Sequence, residues 1–346
     1  MAINSLPRAS LPHRLSRPFS SALLIAACGV WVIESSHVQP VSAVSAPLAS
    51  VSSISAGLGF TCAVADGGVR CWGKNDAGQL GNGSTTSSTY PVQVSGLTSG
   101  VSSVAAGKDF ACAVMLNATV QCWGSNASGQ FGSGDTVSST VPVDIGISDV
   151  AVVAAGTNST CFIVSGAVQC AGANTNGQLG DGTLDPNPSP IDTGLTSATS
   201  VSVGDEYACA VVSGGAKCWG RNNRRQLGTN ASLNPTKTPT NVSGLTSDVS
   251  KVVSGLQHAC ALLSTEEMKC WGFNSNGQIG DGSITQRATP VSTLASGVTA
   301  ISARENSTCA VVSGAAQCWG ANTWGQVGDG TVSARNVPTS VTSLIS

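Results

Sequence analysis

The chain predicts an all-β protein made of six copies of one small sheet, and three observations carry that prediction. Twelve of the thirteen cysteines fall into six pairs nine or ten residues apart: Cys62 with Cys71, Cys112 with Cys122, Cys161 with Cys170, Cys209 with Cys218, Cys260 with Cys270 and Cys309 with Cys318. The pairs recur about every fifty residues, a period that marks a supersecondary unit stacked into a propeller or solenoid. Gly, Ser, Thr and Val dominate while long helix formers are scarce, which favours short strands joined by tight turns. The repeats run without a break over residues 51–346 of the 346-residue chain, so one ring-shaped domain is expected.

The first copy divides into four short strands. Val51 to Ser55 alternates apolar with polar, Thr61 to Ala65 and Val69 to Trp72 flank a turn, and Val92 to Val94 follows a proline suited to a strand start. The turn Asp66-Gly67 tolerates the positive φ of a type I′ hairpin. Counting outward from it places Ala65 opposite Gly68, Val64 opposite Val69, Ala63 opposite Arg70 and Cys62 opposite Cys71. The cysteines then occupy a non-hydrogen-bonded pair with α-carbons about 4.5 Å apart, within reach of a disulfide. Ser165-Gly166, Ser213-Gly214 and Ser313-Gly314 repeat this register. The two copies with ten-residue spacing, centred on Asn117 and Thr265, need a three-residue loop or a bulge to restore it.

Residues 1–50 differ from the rest. Arg8, Arg14 and Arg17 precede an apolar run from Ser21 to Ile33 and then Val41-Ser42-Ala43, the order of a secretory signal peptide spanning 1–43, with 44–50 as a linker. Ile25-Ala26-Ala27-Cys28 offers the alternative of a lipoprotein signal ending before Cys28 and a lipid at that residue. Either way the repeats are expected to be secreted or lipid-anchored at the cell surface, which regularly spaced cysteine pairs also suggest. With 10% charged residues and a formal net charge of -2, the chain lacks the basic stripe that binds nucleic acid.

The segment CWGKNDAGQLGNG at 71–83, followed by Pro91 and VSSVAAGKDFACAV at 101–114, resembles the RCC1 repeat family (regulator of chromosome condensation type), in a secreted bacterial-type form. CWGSNASGQFGSG, CAGANTNGQLGDG, CWGRNNRRQLGTN, CWGFNSNGQIGDG and CWGANTWGQVGDG repeat the match. The resemblance implies a β-propeller of four-stranded antiparallel blades, here six with one disulfide hairpin each, where the family most familiarly has seven. Trp72, Trp123, Trp219, Trp271 and Trp319 read as wedges between blades, with a thinner contact where Ala171 replaces tryptophan. Asn75, Gly78, Gln79 and Gly81 read as loop hardware, and the Gly-Asp-Gly contexts of Asp181, Asp281 and Asp329 lack the ligand spacing of a calcium loop.

If strands alternate in direction, the loops after the first and third strands of every blade open on one face. That face collects the candidate binding residues Lys74, Phe110, Tyr207, Arg221, Arg224, Arg225, Phe273 and Trp324, because aromatic and arginine side chains on a rigid rim carry much of the energy of protein interfaces. No catalytic set, metal site or cofactor is expected; His258 is the only histidine beyond residue 50. The expected function is a non-catalytic, monomeric scaffold for an extracellular or cell-surface protein. The alternative is a glycan-binding module with Trp324, Phe273 and Tyr207 as stacking platforms, and guanine-nucleotide exchange is a weaker reading by family analogy alone.

Overall fold

A computed structural model describes residues 48–342, and the expected signal peptide, its cleavage site and Cys28 lie outside them. The described residues form six four-stranded antiparallel sheets, each in chain order, at residues 51–93, 101–144, 150–192, 198–241, 249–294 and 298–340. In the first blade the strands are β1 (Val51–Ala56), β2 (Phe60–Ala65), β3 (Gly68–Gly73) and β4 (Ser88–Gln93). The innermost strands of all six blades line a central channel.

The hairpin register is the one the turn dictates. Cys62 pairs with Cys71 three positions out from the closure of Ala65 on Gly68, and Asp66 and Gly67 take φ of 52° and 75°. All six expected disulfides are formed, with α-carbons 4.0 to 4.1 Å apart: Cys62 to Cys71, Cys112 to Cys122, Cys161 to Cys170, Cys209 to Cys218, Cys260 to Cys270 and Cys309 to Cys318. In the second blade the extra residue between Cys112 and Cys122 is absorbed by a three-residue loop. There Ala118 N–H donates to the Met115 carbonyl, Met115 N–H donates to the Thr119 carbonyl, and Ala118 sits at φ 62°. The fifth blade repeats this device between Cys260 and Cys270, with Glu266 at φ 64°.

The core is divided into five clusters, each shared by two neighbouring blades. Trp123, Trp219, Trp271 and Trp319 are fully buried, and each indole N–H donates to the carbonyl of a glutamine in the preceding blade: Gln79, Gln178, Gln226 and Gln278. At Ala171 the contact is not thinner as expected. Phe131 and Phe162 fill the volume a tryptophan would take, and the Thr160 hydroxyl replaces the indole donor with a 2.6 Å bond to the Gln130 carbonyl.

Among the described residues no such cluster joins the sixth blade to the first. Val51 and Ile54 of β1 are exposed, Ile54 by 65%, whereas their counterparts Val101 and Val104 are buried. Trp72 is only half-buried, and Gln326 is exposed where the other five glutamines of this position are buried. Close approach tells the same story: a Cβ on Gly81 would lie 2.8 Å from the Trp123 ring, whereas the three atoms nearest to one on Gly328 all belong to Val341, just beyond the last strand of its own blade. Among the described residues the propeller therefore has five packed seams and one open one.

Candidate binding face and axial mouth

The six loops after the first strands converge on the channel, and the six longer loops after the third strands surround them on the same face. Each long loop is held by two amides. In the first blade Asn75 Oδ1 accepts from Leu80 N–H at 2.8 Å, its amide donates to the carbonyls of Ser84 and Thr86, and Gln79 accepts from Ala77 N–H. Asn126, Asn174, Asn222, Asn274 and Asn322 brace their loops through the same backbone N–H. Such loops are pre-ordered platforms, so side chains on them bind without a large ordering cost.

The Gly-Asp-Gly carboxylates belong to this hardware. Asp281 accepts from Ser283 and from Arg287 Nε at 2.6 Å; Asp329 accepts from Thr331 and from Arg335 Nε at 2.5 Å. Hydrogen bonds, first from the Thr331 hydroxyl and then from Arg335, hold the Asp329 carboxyl down at about 2. Burial alone would raise Asp281, yet the Ser283 and Arg287 bonds outweigh it and leave it below the ordinary range.

The structure divides the candidate residues. Lys74 bridges two blades through Asp109 at 3.0 Å, a contact that with Asp76 raises its pKa. Arg221 pairs with Glu206 at 2.7 Å and Asp205 at 3.5 Å in its own blade. Arg224 lies over the Phe273 ring, 5.0 Å from its centroid, joining the fourth and fifth blades on the surface. Arg225 occupies the left-handed position held elsewhere by glycine, at φ 63°, and donates to the Ala231 carbonyl at 2.7 Å. Trp324 is 91% exposed.

Phe110 and Tyr207 are corrected: both are fully buried and offer no surface to a partner. Each packs its ring beneath the glycine that opens its loop, Gly107 or Gly204, where no Cβ fits. Tyr207 also spends its hydroxyl on backbone carbonyls of the fifth blade. His258 holds the equivalent place in that blade. Its Nε2 lies 2.8 Å from the Thr308 hydroxyl, which itself donates to the Gln278 carbonyl, so Nε2 carries the proton. Burial lowers its pKa to about 3, a group fixed neutral for packing. Of the three glycan-stacking platforms, Tyr207 is thus unavailable and Phe273 is covered by Arg224.

Sequence reasoning missed a corona of aliphatic side chains. Val137, Leu184, Leu233, Ile284 and Val332, one on each long loop of the second to sixth blades, are 42% to 69% exposed on the face that carries Trp324. The signal was in the chain, a lone apolar residue inside each polar loop, but single apolar residues on surfaces are common and only their repetition distinguishes them.

Comparison with known proteins agrees with this geometry. The chain is 32% identical over 119 residues to the ultraviolet-B receptor UVR8 of Arabidopsis thaliana, a match spanning 33% of this chain and 27% of that relative. Human WBSCR16 shares the fold at 24% identity with a TM-score of 0.75, covering 84% of this chain and 81% of that one. Yeast RCC1 (Prp20) bound to Kap60 gives 20% identity and a TM-score of 0.72 over 83% and 74% of the two chains. A second structure of Prp20p, from Saccharomyces cerevisiae and described with its binding to Gsp1p and histones, gives 21% and 0.72 over 83% and 76%.

These findings correct the expected location and partners. The partners named for the similar structures are Kap60, Gsp1p and histones, in place of the extracellular or cell-surface protein and the secreted or lipid-anchored setting expected from the sequence. The export reading leaned on residues outside the described ones and on cysteine pairing, and paired thiols report geometry as well as compartment. The model of the regulator of chromosome condensation (RCC1) repeat matches at 66–114, 119–163, 165–211 and 214–262, more than half of the sequence, and a second model of the same description matches at 51–79, 101–130 and 249–278; the chain belongs to the RCC1 repeat family.

Proposed function

We propose that this propeller is a non-catalytic protein-binding scaffold whose partner rests on the loop-rich face. The corona carries the reading. Five aliphatic side chains stand exposed on loops locked by their own amides, with Trp324 and the Arg224–Phe273 pair among them. Apolar and aromatic groups on a rigid support are what a protein interface uses for its energetic centre, with arginine at its margin. Among the described residues no group of three or more His, Cys, Asp or Glu is placed to hold a metal, and the one histidine present there is buried and neutral.

The test is affinity capture with the full chain, with a triple variant combining Trp324→Ala, Ile284→Ser and Val332→Ser, and with Leu116→Ser, which alters an exposed leucine on the hairpin face. Kap60, Gsp1p and histones, named for the yeast relative, are the first purified proteins to try. Loss of binding in the triple variant with retention in Leu116→Ser supports the reading. Equal binding by all three proteins refutes the choice of face. A glycan array read with Trp324→Ala separates the sugar-binding alternative, since that reading requires a Trp324-dependent signal.

A further inference from the structure

The mouth of the channel holds a cavity of about 190 Å³, lined by Leu58, Lys108, Thr157, Asp205, Leu256 and Arg304 among others. Arg304 ends the first strand of the sixth blade and reaches across to the second blade, where its Nη2 donates to the Gly107 carbonyl at 2.7 Å. Its Nε is buried without a partner, as is the Ser254 hydroxyl on the same wall. No acid neutralises the guanidinium at contact range. Asp205 is engaged by Arg221, Glu305 is exposed, and neither Lys108 nor Arg304 lies within 4 Å of a carboxylate among the described residues.

A half-buried cation whose Nε is shut off from water, with no acid in contact, carries a desolvation cost. Burial accordingly lowers the Arg304 pKa from the ordinary arginine value, and the more distant charge of Glu305 offsets only part of that. A ligand that brings a negative charge removes the cost. The planar fork of arginine selects an oxygen pair in its own plane, and the Leu58 and Leu256 side chains at the rim suit a short aliphatic stem behind the charge.

We propose that the axial mouth is a carboxylate-binding site in which Arg304, assisted by Lys108, receives a carboxylate carried on a short aliphatic stem. An acidic side chain, a peptide C-terminus and a free short-chain acid share that chemistry. The site does not depend on the corona: the triple variant above leaves carboxylate binding unchanged even where it abolishes capture of a protein.

The test is NMR observation of the Arg304 Nε–H in the full chain, titrated with Ac-Gly-Glu-Gly-NH2, Ac-Gly-Gly-OH and propionate, with Ac-Gly-Gln-Gly-NH2 and chloride as controls. A saturable shift with at least one carboxylate and none with the controls is expected, and the strongest of the three identifies the source. Arg304→Lys, which keeps the charge and loses the fork, weakens that binding at least about tenfold while the fold is retained. Arg304→Met abolishes it; should Met fail to fold, the Lys variant decides. Non-saturating shifts in every arm, shifts equal to those of the glutamine peptide, or undiminished binding in Arg304→Lys overturns the proposal.

Discussion

The second-blade tryptophan and the first-blade tryptophan come from the same motif and live in different surroundings. Trp123 is sealed between two blades with its indole hydrogen-bonded to Gln79, while Trp72 is half-buried on the wall of the open seam. The same contrast separates buried Val104 from exposed Ile54 and buried Gln79 from exposed Gln326. The Cys-Trp-Gly motif is the same in both blades, so burial here is set by what lies next door rather than by the motif.

The sharpest way to break that comparison is a pair of truncations. Trp219→Ala should cost about 3–5 kcal/mol in urea unfolding, from lost packing and an orphaned carbonyl, and Trp72→Ala less than about half of that. Equal costs would mean the sixth seam is packed in solution. Glycine at the long loops gives a second pair. A Cβ on Gly277 would fall 2.5 Å from the Asn336 α-carbon of the next blade, whereas one on Gly325 meets only Thr331 at 3.9 Å. Both positions are left-handed, at φ 79° and 75°, so each alanine variant bears about 1–2 kcal/mol of backbone strain. Gly277→Ala should add about 1–3 kcal/mol of overpacking that Gly325→Ala escapes.

Acid should act first on a packed seam. His258 has a folded pKa of about 3 against 6.5 in the unfolded chain, so its contribution is complete above pH 6.5 and is lost as pH falls from 6.5 toward 3. The expected slope is about 1.4 kcal/mol per pH unit. Urea melts at pH 7, 6 and 5 measure it, and His258→Phe, the residue type at positions 60 and 110, should flatten it. Below pH 3.8 a second loss follows as Asp329, held near 2 in the folded chain, takes up its proton. The smallest effect concerns the disulfides. Cys309 is only partly buried, and alkylation after mild reduction should mark the bridge from Cys309 to Cys318 ahead of the fully buried bridge from Cys209 to Cys218.

The hairpins were legible because a two-residue Asp-Gly turn fixes the pairing of every residue outward from it, and Cys62 opposite Cys71 follows by counting. Inter-blade features were legible only where a residue's role is independent of its neighbour. Trp123 met its expected wedge, but Phe131, Phe162 and Thr160 jointly replacing the tryptophan at Ala171 required knowing that they converge. Phe110 and Tyr207 misled because a loop-flanking aromatic looks the same whether it points out or folds beneath a glycine. The open seam was invisible because Val51-Ser52-Ser53-Ile54 has the same alternation as Val101-Ser102-Ser103-Val104.

Hydroxyl-radical footprinting of the full chain tests the open seam most directly. Ile54 and Trp72 should be oxidised several times faster than Val104 and Trp123, their counterparts in the packed seam beside them. Equal protection of the two sets would contradict an open junction between the sixth and first blades.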